Sequence, residues 1–151
     1  MTIQAQRKIV YWEDVKEGQE VPPINLDITI KRCVMGVAGT RDYYDVHHNR
    51  DFAKANAAKD MFVNTMFLQG TVARFMTDWT GPEGEIRKLG IAMRESNYPG
   101  DILTVTGKVI KKYQNAKGEH LVDLDIVVSN PRGSSVISTG TMALPVRASR
   151  G

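Results

Sequence analysis

The order of two hydrophobic periods leaves few folds open to this chain: one long helical pattern comes first, and only alternating patterns follow it. In FVNTMFLQGTVARFMTDWTGP, Phe62 to Pro82, the residues Leu68, Val72, Phe75 and Trp79 recur at helical spacing, while Met66, Phe67, Ala73 and Met76 widen the apolar surface. The spacing predicts a helix over 64–79, buried on most sides, with Asn64 as N-cap and Gly81-Pro82 as the stop signal. From Glu85 the period becomes two. Leu89, Ile91 and Met93 share a face, as do Leu103, Val105 and Val109, then Val122, Leu124, Ile126 and Val128, then Val136, Gly140, Met142 and Leu144. Turn residues part these runs at Tyr98-Pro99-Gly100-Asp101, Asn115-Ala116-Lys117-Gly118 and Asn130-Pro131-Arg132-Gly133. Four strands of an antiparallel meander are expected.

Upstream, Leu26, Ile28 and Ile30 alternate with Asn25, Asp27 and Thr29, which predicts a first strand over Asn25–Ile30. Short helices are expected over Lys31–Ala38, ending at Gly39, and over the alanine-rich Asp51–Lys59. Residues 1–9 read as a loose polar arm, and Tyr11–Pro23 as a lead-in closed by Gly18 and the Pro22-Pro23 pair. A sheet with one apolar face must be covered, and the helix at 64–79 is the one candidate long enough to do it. The expected architecture is therefore α+β: a single domain over 1–151, its antiparallel sheet wrapped around one long central helix. That is the hot-dog arrangement.

Composition narrows the function classes. With 151 residues, 42% of them hydrophobic and 25% charged, the chain suits one globular core. The net charge of +3 is spread along the sequence rather than gathered, so a nucleic-acid partner is not expected. Cys33 is the single cysteine, which excludes an intramolecular disulfide and a Cys-rich metal site. No stretch approaches the ~20 apolar residues of a membrane helix, and MTIQAQRKIVYWEDVKEGQEV has no apolar core of signal-peptide type. The expectation is a cytoplasmic protein without a membrane partner.

Chemistry concentrates in Arg41-Asp42-Tyr43-Tyr44-Asp45-Val46-His47-His48-Asn49-Arg50-Asp51, which holds two of the three histidines. A carboxylate and an imidazole that reach one water can take a proton from it and deliver one to carbon near neutral pH. On residue types alone, a polar turn with capping aspartates and solvated histidines is the commoner outcome. Adjacent His47 and His48 diverge and only His120 remains as another imidazole, so no metal is expected.

The spacing Asp42-Tyr43-Tyr44-Asp45-Val46-His47 resembles the Asp-x-Asn-Pro-aliphatic-His motif of the MaoC-like hydratases and dehydratases, with Ala53 where the motif has a small residue. Tyr44 and Asp45 stand where the motif has Asn and Pro. The stretches RDYYDVHH, KDMFVN and TDWTGP are similar to the small subunits of actinobacterial steroid side-chain enoyl-CoA hydratases. The resemblance, from about Asp27 to the last strand, implies reversible hydration of a 2-enoyl-CoA, with Asp42 and His47 catalytic. It places the thioester oxygen against amides at Asn64-Thr65-Met66, although the family usually has glycine where Thr65 stands. It implies no cofactor beyond the coenzyme A of the substrate, an acyl group of steroid side-chain or other lipid type, and an active unit of two hot-dog halves, as a homodimer or with a different chain.

Two other readings compete. A hot-dog thioesterase needs a carboxylate on or near the central helix, and there is no Asp or Glu from Phe62 to Thr77. A non-catalytic acyl-CoA-binding subunit would have no use for both Asp42 and His47. Lys108, Lys111 and Lys112 are candidates for the coenzyme A phosphates or simply solvated charges, and Met61, Met66 and Met76 for a lipid pocket or ordinary core.

Overall fold

The computed structural model describes residues 8–148, so most of the arm expected over 1–9 lies outside the described residues. In chain order the elements are β1 (Glu20–Asp27), α1 (Ile30–Thr40), α2 (Arg50–Ala55), α3 (Thr65–Thr80), β2 (Glu85–Met93), β3 (Ile102–Gln114), β4 (His120–Asn130) and β5 (Gly133–Ala143). Short 3-10 turns lie at Trp12–Asp14 and Asp45–His47. The five strands form one antiparallel sheet in the order β1-β3-β4-β5-β2, and α3 lies along its apolar face. This is the expected hot-dog arrangement.

The helix begins and ends where the sequence signals it. Asn64 accepts a hydrogen bond from the Phe67 amide at 2.8 Å, and Gly81 closes the other end at a positive φ of 81°. Its buried face carries Leu68, Thr71, Val72, Phe75, Met76 and Thr80. Contrary to the expectation of burial on most sides, Met66, Gln69, Gly70, Arg74, Thr77 and Asp78 face outward in this chain. One sheet can cover only one side of a helix. Contact between the two is close enough to exclude side chains from the sheet. A Cβ at Gly107 on β3 would sit 2.7 Å from the Phe75 ring, and one at Gly140 on β5 would sit 2.4 Å from the Met76 methyl. Val105, Val109, Leu124, Ile126, Val128, Val136 and Met142 complete the buried face around them.

Two strand expectations are corrected. The first strand starts at Glu20 rather than Asn25 and contains Pro22 and Pro23, with a register shift between Val21 and Ile24. It is an edge strand, where a missing amide and a bulge are tolerated. Ile28 and Ile30 fall outside it, because Thr29 caps α1 by accepting from the Arg32 amide. Second, only β3, β4 and β5 form a meander; β2 pairs with β5, from Glu85↔Ala143 to Met93↔Val136. Alternation says which side chains share a face but not which strand lies alongside. Met93, at the end of edge strand β2, shares a face with Leu89 and Ile91 as expected but is 37% exposed. No helix among the described residues is long and apolar enough to cross a membrane.

Candidate active site

The catalytic candidates sit on the connection between α1 and α2. The helix α1 ends at Arg41, whose left-handed backbone (φ 57°) turns the chain sharply into Asp42. The 3-10 turn at Asp45–His47 then folds back, its Val46 buried in the core. Asn49 starts α2 by accepting from the Phe52 amide at 3.1 Å. The loop is thus fixed at both ends by helix termini and in the middle by an apolar side chain.

This folding brings Asp42 and His47 together, with His47 Nε2 3.4 Å from an Asp42 carboxylate oxygen. His47 is buried, and its Nδ1 lies 2.8 Å from the Phe62 carbonyl oxygen. A carbonyl only accepts, so Nδ1 carries a proton and donates it. Nε2 is then the nitrogen left to exchange protons toward Asp42 and solvent. Phe62 and Tyr44 meet the imidazole edge-to-face at 5.0 and 6.2 Å between ring centroids. His48, by contrast, faces outward, 3.9 Å from Asp45 at best.

At the start of α3 the side chain of Asn64 is fully engaged: it caps Phe67 and donates to Thr40 Oγ at 2.6 Å, while Thr40 donates to the Gly36 carbonyl at 2.7 Å. These bonds tie the end of α1, just before Asp42, to the start of α3. The amides of Thr65 and Met66 have no acceptor among the described residues, and both residues are exposed. As the first amides of a sixteen-residue helix, they stand at its positive end and can donate to an oxygen that gains charge. Between α1 and α3 a cleft of about 510 Å³ opens, lined by Met35, Gly36, Gly39, Thr40 and Phe67, with Lys31 and Arg32 at its side.

No family model matches the chain. Among curated proteins, the beta subunit of 3-oxo-4,17-pregnadiene-20-carboxyl-CoA hydratase of Mycobacterium tuberculosis is 38% identical over 132 residues, 87% of this chain and 97% of that protein. The chain belongs to the MaoC-like hydratase family. Of the solved structures, the ChsH1–ChsH2 complex from Mycobacterium tuberculosis superposes with a TM-score of 0.79 at 32% identity, over 85% of this chain and 98% of the matched one. The (R)-hydratase from A. caviae involved in PHA biosynthesis matches at a TM-score of 0.78 and 16% identity, over 88% of this chain and 99% of its own, and so shares the fold. This MaoC-like protein is a hydro-lyase of the hydratase type.

Two features of this candidate site escaped the sequence. The Phe62 carbonyl that fixes His47 is main chain, and no side-chain pattern marks it. Thr40 reaches Asn64 across twenty-four residues, and its position at the end of α1 was the only signal available. Among the weaker candidates, Lys112 is committed elsewhere, donating to the Val15 carbonyl at 2.8 Å and lying over the Trp12 ring. Met61 and Met76 are core residues, whereas Met66 is 47% exposed beside the free amides. Among the described residues no group of three His, Cys, Asp or Glu side chains is placed to hold a metal.

Proposed function

We propose that Asp42 and His47 are the acid/base pair of this hydratase and that the Thr65 and Met66 amides hold the thioester oxygen. Asp42 takes a proton from water as the water oxygen bonds to the β-carbon of the enoyl group. His47 Nε2–H gives its proton to the α-carbon, and the thioester oxygen, which carries enolate charge in between, accepts from the helix amides. The proton on Asp42 then passes to Nε2 across the 3.4 Å that separates them, which restores the starting state with one water added. The reverse sequence eliminates water. No cofactor enters this balance; coenzyme A arrives with the substrate. The observation that carries the reading is His47 itself, with Nδ1 fixed on a carbonyl and Nε2 turned to Asp42. The test is loss of conjugated absorbance on hydration of enoyl-CoAs. Asp42→Asn and His47→Ala should each lower turnover by at least about a hundredfold, and retained turnover in either variant would remove that residue from its role.

The acyl group is bulky and polycyclic in this proposal. The curated relative is named for such a substrate, and the open cleft between α1 and α3 is compatible with a large group beside the amides. A preference for crotonyl-CoA over a steroid side-chain enoyl-CoA in kcat/KM would overturn it. The second half of the active unit is a different hot-dog chain. Strands β1 and β2 lie at the two edges of the sheet, exposed edges are normally paired or covered, and the matched complex is named for two chains. Light scattering of the purified chain decides: an active homodimer would reject the hetero-oligomer, and an inactive chain that gains activity with a second hot-dog protein would support it.

A further inference from the structure

The segment joining β2 to β3, residues 94–101, is held by the turn between β4 and β5 through an unusual density of polar bonds. Arg132 places its guanidinium fork on Asp101 at 2.7 and 2.8 Å, its Nε on Glu95 at 2.6 Å, and donates to the Ser96 carbonyl at 3.0 Å. Asn130 accepts from the Arg132 amide at 2.8 Å and donates its Nδ2 to the Asn97 side-chain oxygen at 2.9 Å. Asn97 has no exposed surface, and its Nδ2 is the one buried side-chain nitrogen or oxygen without a partner among the described residues. Such a group costs stability, and an apolar side chain there would avoid the cost.

What this segment does lies on its other side. The Asn97 main-chain carbonyl accepts from the Val63 amide at 3.1 Å, and the Phe62 amide donates to Val46 at 3.3 Å. Residues 62 and 63 are therefore clamped between the catalytic loop and Asn97, and the Phe62 carbonyl is the group that receives His47 Nδ1–H. The Phe62 ring also stands between the imidazole and Tyr98, at 5.0 and 6.3 Å. Among the described residues only Asp42 lies within ion-pair distance of His47, and the aromatic rings against it are Phe62 and Tyr44. A neutral imidazole thus has two places for its proton, Nδ1 toward Phe62 and Nε2 toward Asp42. The position of one carbonyl decides between them.

We propose that Asn97, Asn130 and Arg132 are positioning residues, which act through the Phe62 carbonyl to keep the His47 proton on Nδ1 and its Nε2 free to exchange with Asp42 and substrate. This rests on His47 being the proton donor of the hydratase. When the brace loosens, the carbonyl drifts from Nδ1 and the Nε2–H form competes.

The experiment is ¹⁵N NMR of the imidazoles in the full chain, where only three histidines need assignment and His47→Gln identifies the signal. Turnover of an enoyl-CoA that the native protein accepts is measured alongside. The variants are Asn97→Ala and Asn130→Ala, the second at a turn and so the safer for folding, with Val122→Ala as a core variant remote from the brace. At a pH high enough to remove the Nε2 proton, which leaves the ring as it stands after its proton has been given to substrate, the native protein should show the neutral Nδ1–H form alone. Both brace variants should show a mixture, with kcat lowered roughly tenfold to a hundredfold, the scale of a small misplacement of a reacting group, and KM unchanged. Val122→Ala should lower Tm but keep the single form and the native kcat. An unmixed Nδ1–H signal in both brace variants overturns the proposal, as does a loss of kcat no greater than that of Val122→Ala at equal Tm. If the mixture appears but His47→Gln turns over normally, the acid/base assignment fails and the brace stands.

Discussion

Replacing Arg132 by methionine keeps most of the side-chain volume and leaves the Asp101 carboxylate without its partner. Asp101 is only 7% exposed, and its oxygens accept both arms of the guanidinium and the Tyr98 amide at 2.8 Å. The arginine beside it, with the Tyr98 amide, holds its carboxyl below the ordinary carboxylate range against the opposing effect of burial. Breaking a fully buried pair from one side costs about 3–5 kcal/mol, and the 30% exposure of the arginine side chain admits enough water to lower that to about 2–3 kcal/mol. For a chain of this length that is a fall in Tm of roughly 5–10 °C. The pH dependence fixes the cause. A depressed folded pKa stabilises the fold fully above the unfolded value of about 3.9, and the contribution is lost as pH falls through the folded value. The gap between native and Arg132→Met should therefore be largest near neutrality and shrink steadily as pH falls below about 4. Urea unfolding at fixed protein concentration, at pH 7 and again below the ordinary carboxylate range, measures both numbers, and Arg132→Lys should recover only part of the loss because it has no fork. A penalty under about 1 kcal/mol at pH 7, the level of an exposed pair, or one equally large at both pH values, would refute the reasoning.

Three further outcomes follow from the same geometry. His48→Ala should leave enoyl-CoA hydration near the native rate, since His48 faces outward; a loss equal to that of His47→Ala would mean that the acid/base role lies one position along. Gly107→Ala should cost about 1–3 kcal/mol in urea melts because the new methyl meets the Phe75 ring at 2.7 Å, whereas Gly90→Ala, whose nearest neighbour is 3.6 Å away, should cost clearly less. Burial pushes the Cys33 thiol up to about 11, so the native chain should resist thiol reagents at pH 8 and react only on unfolding or well above that pH; rapid labelling of the folded protein would contradict this.

Much of the fold was legible because its signals are local. The 3.6-residue spacing of Leu68, Val72, Phe75 and Trp79, the cap at Asn64 and the stop at Gly81 placed α3 to within a residue or two, and alternation in β3, β4 and β5 placed their buried faces. The chemical types at Asp42 and His47, and their spacing, were likewise written in the sequence. Which strands are neighbours was not, since β2 and β5 are joined by contacts forty to sixty residues apart that leave no periodic trace. Nor was the outward half of α3, because the helical pattern does not say how many sides have a sheet against them. The site divides in the same way. The sequence by itself supplied an acid, a base and a helix start; the tertiary structure alone decided that the Phe62 carbonyl meets Nδ1, that Asn64 is spent on Thr40 and Phe67, and that Asn97 lies behind them. The physical reason is that a side chain's identity is carried by its own codon of sequence, whereas a main-chain carbonyl is the same at every position and gains a role only from what the fold sets against it.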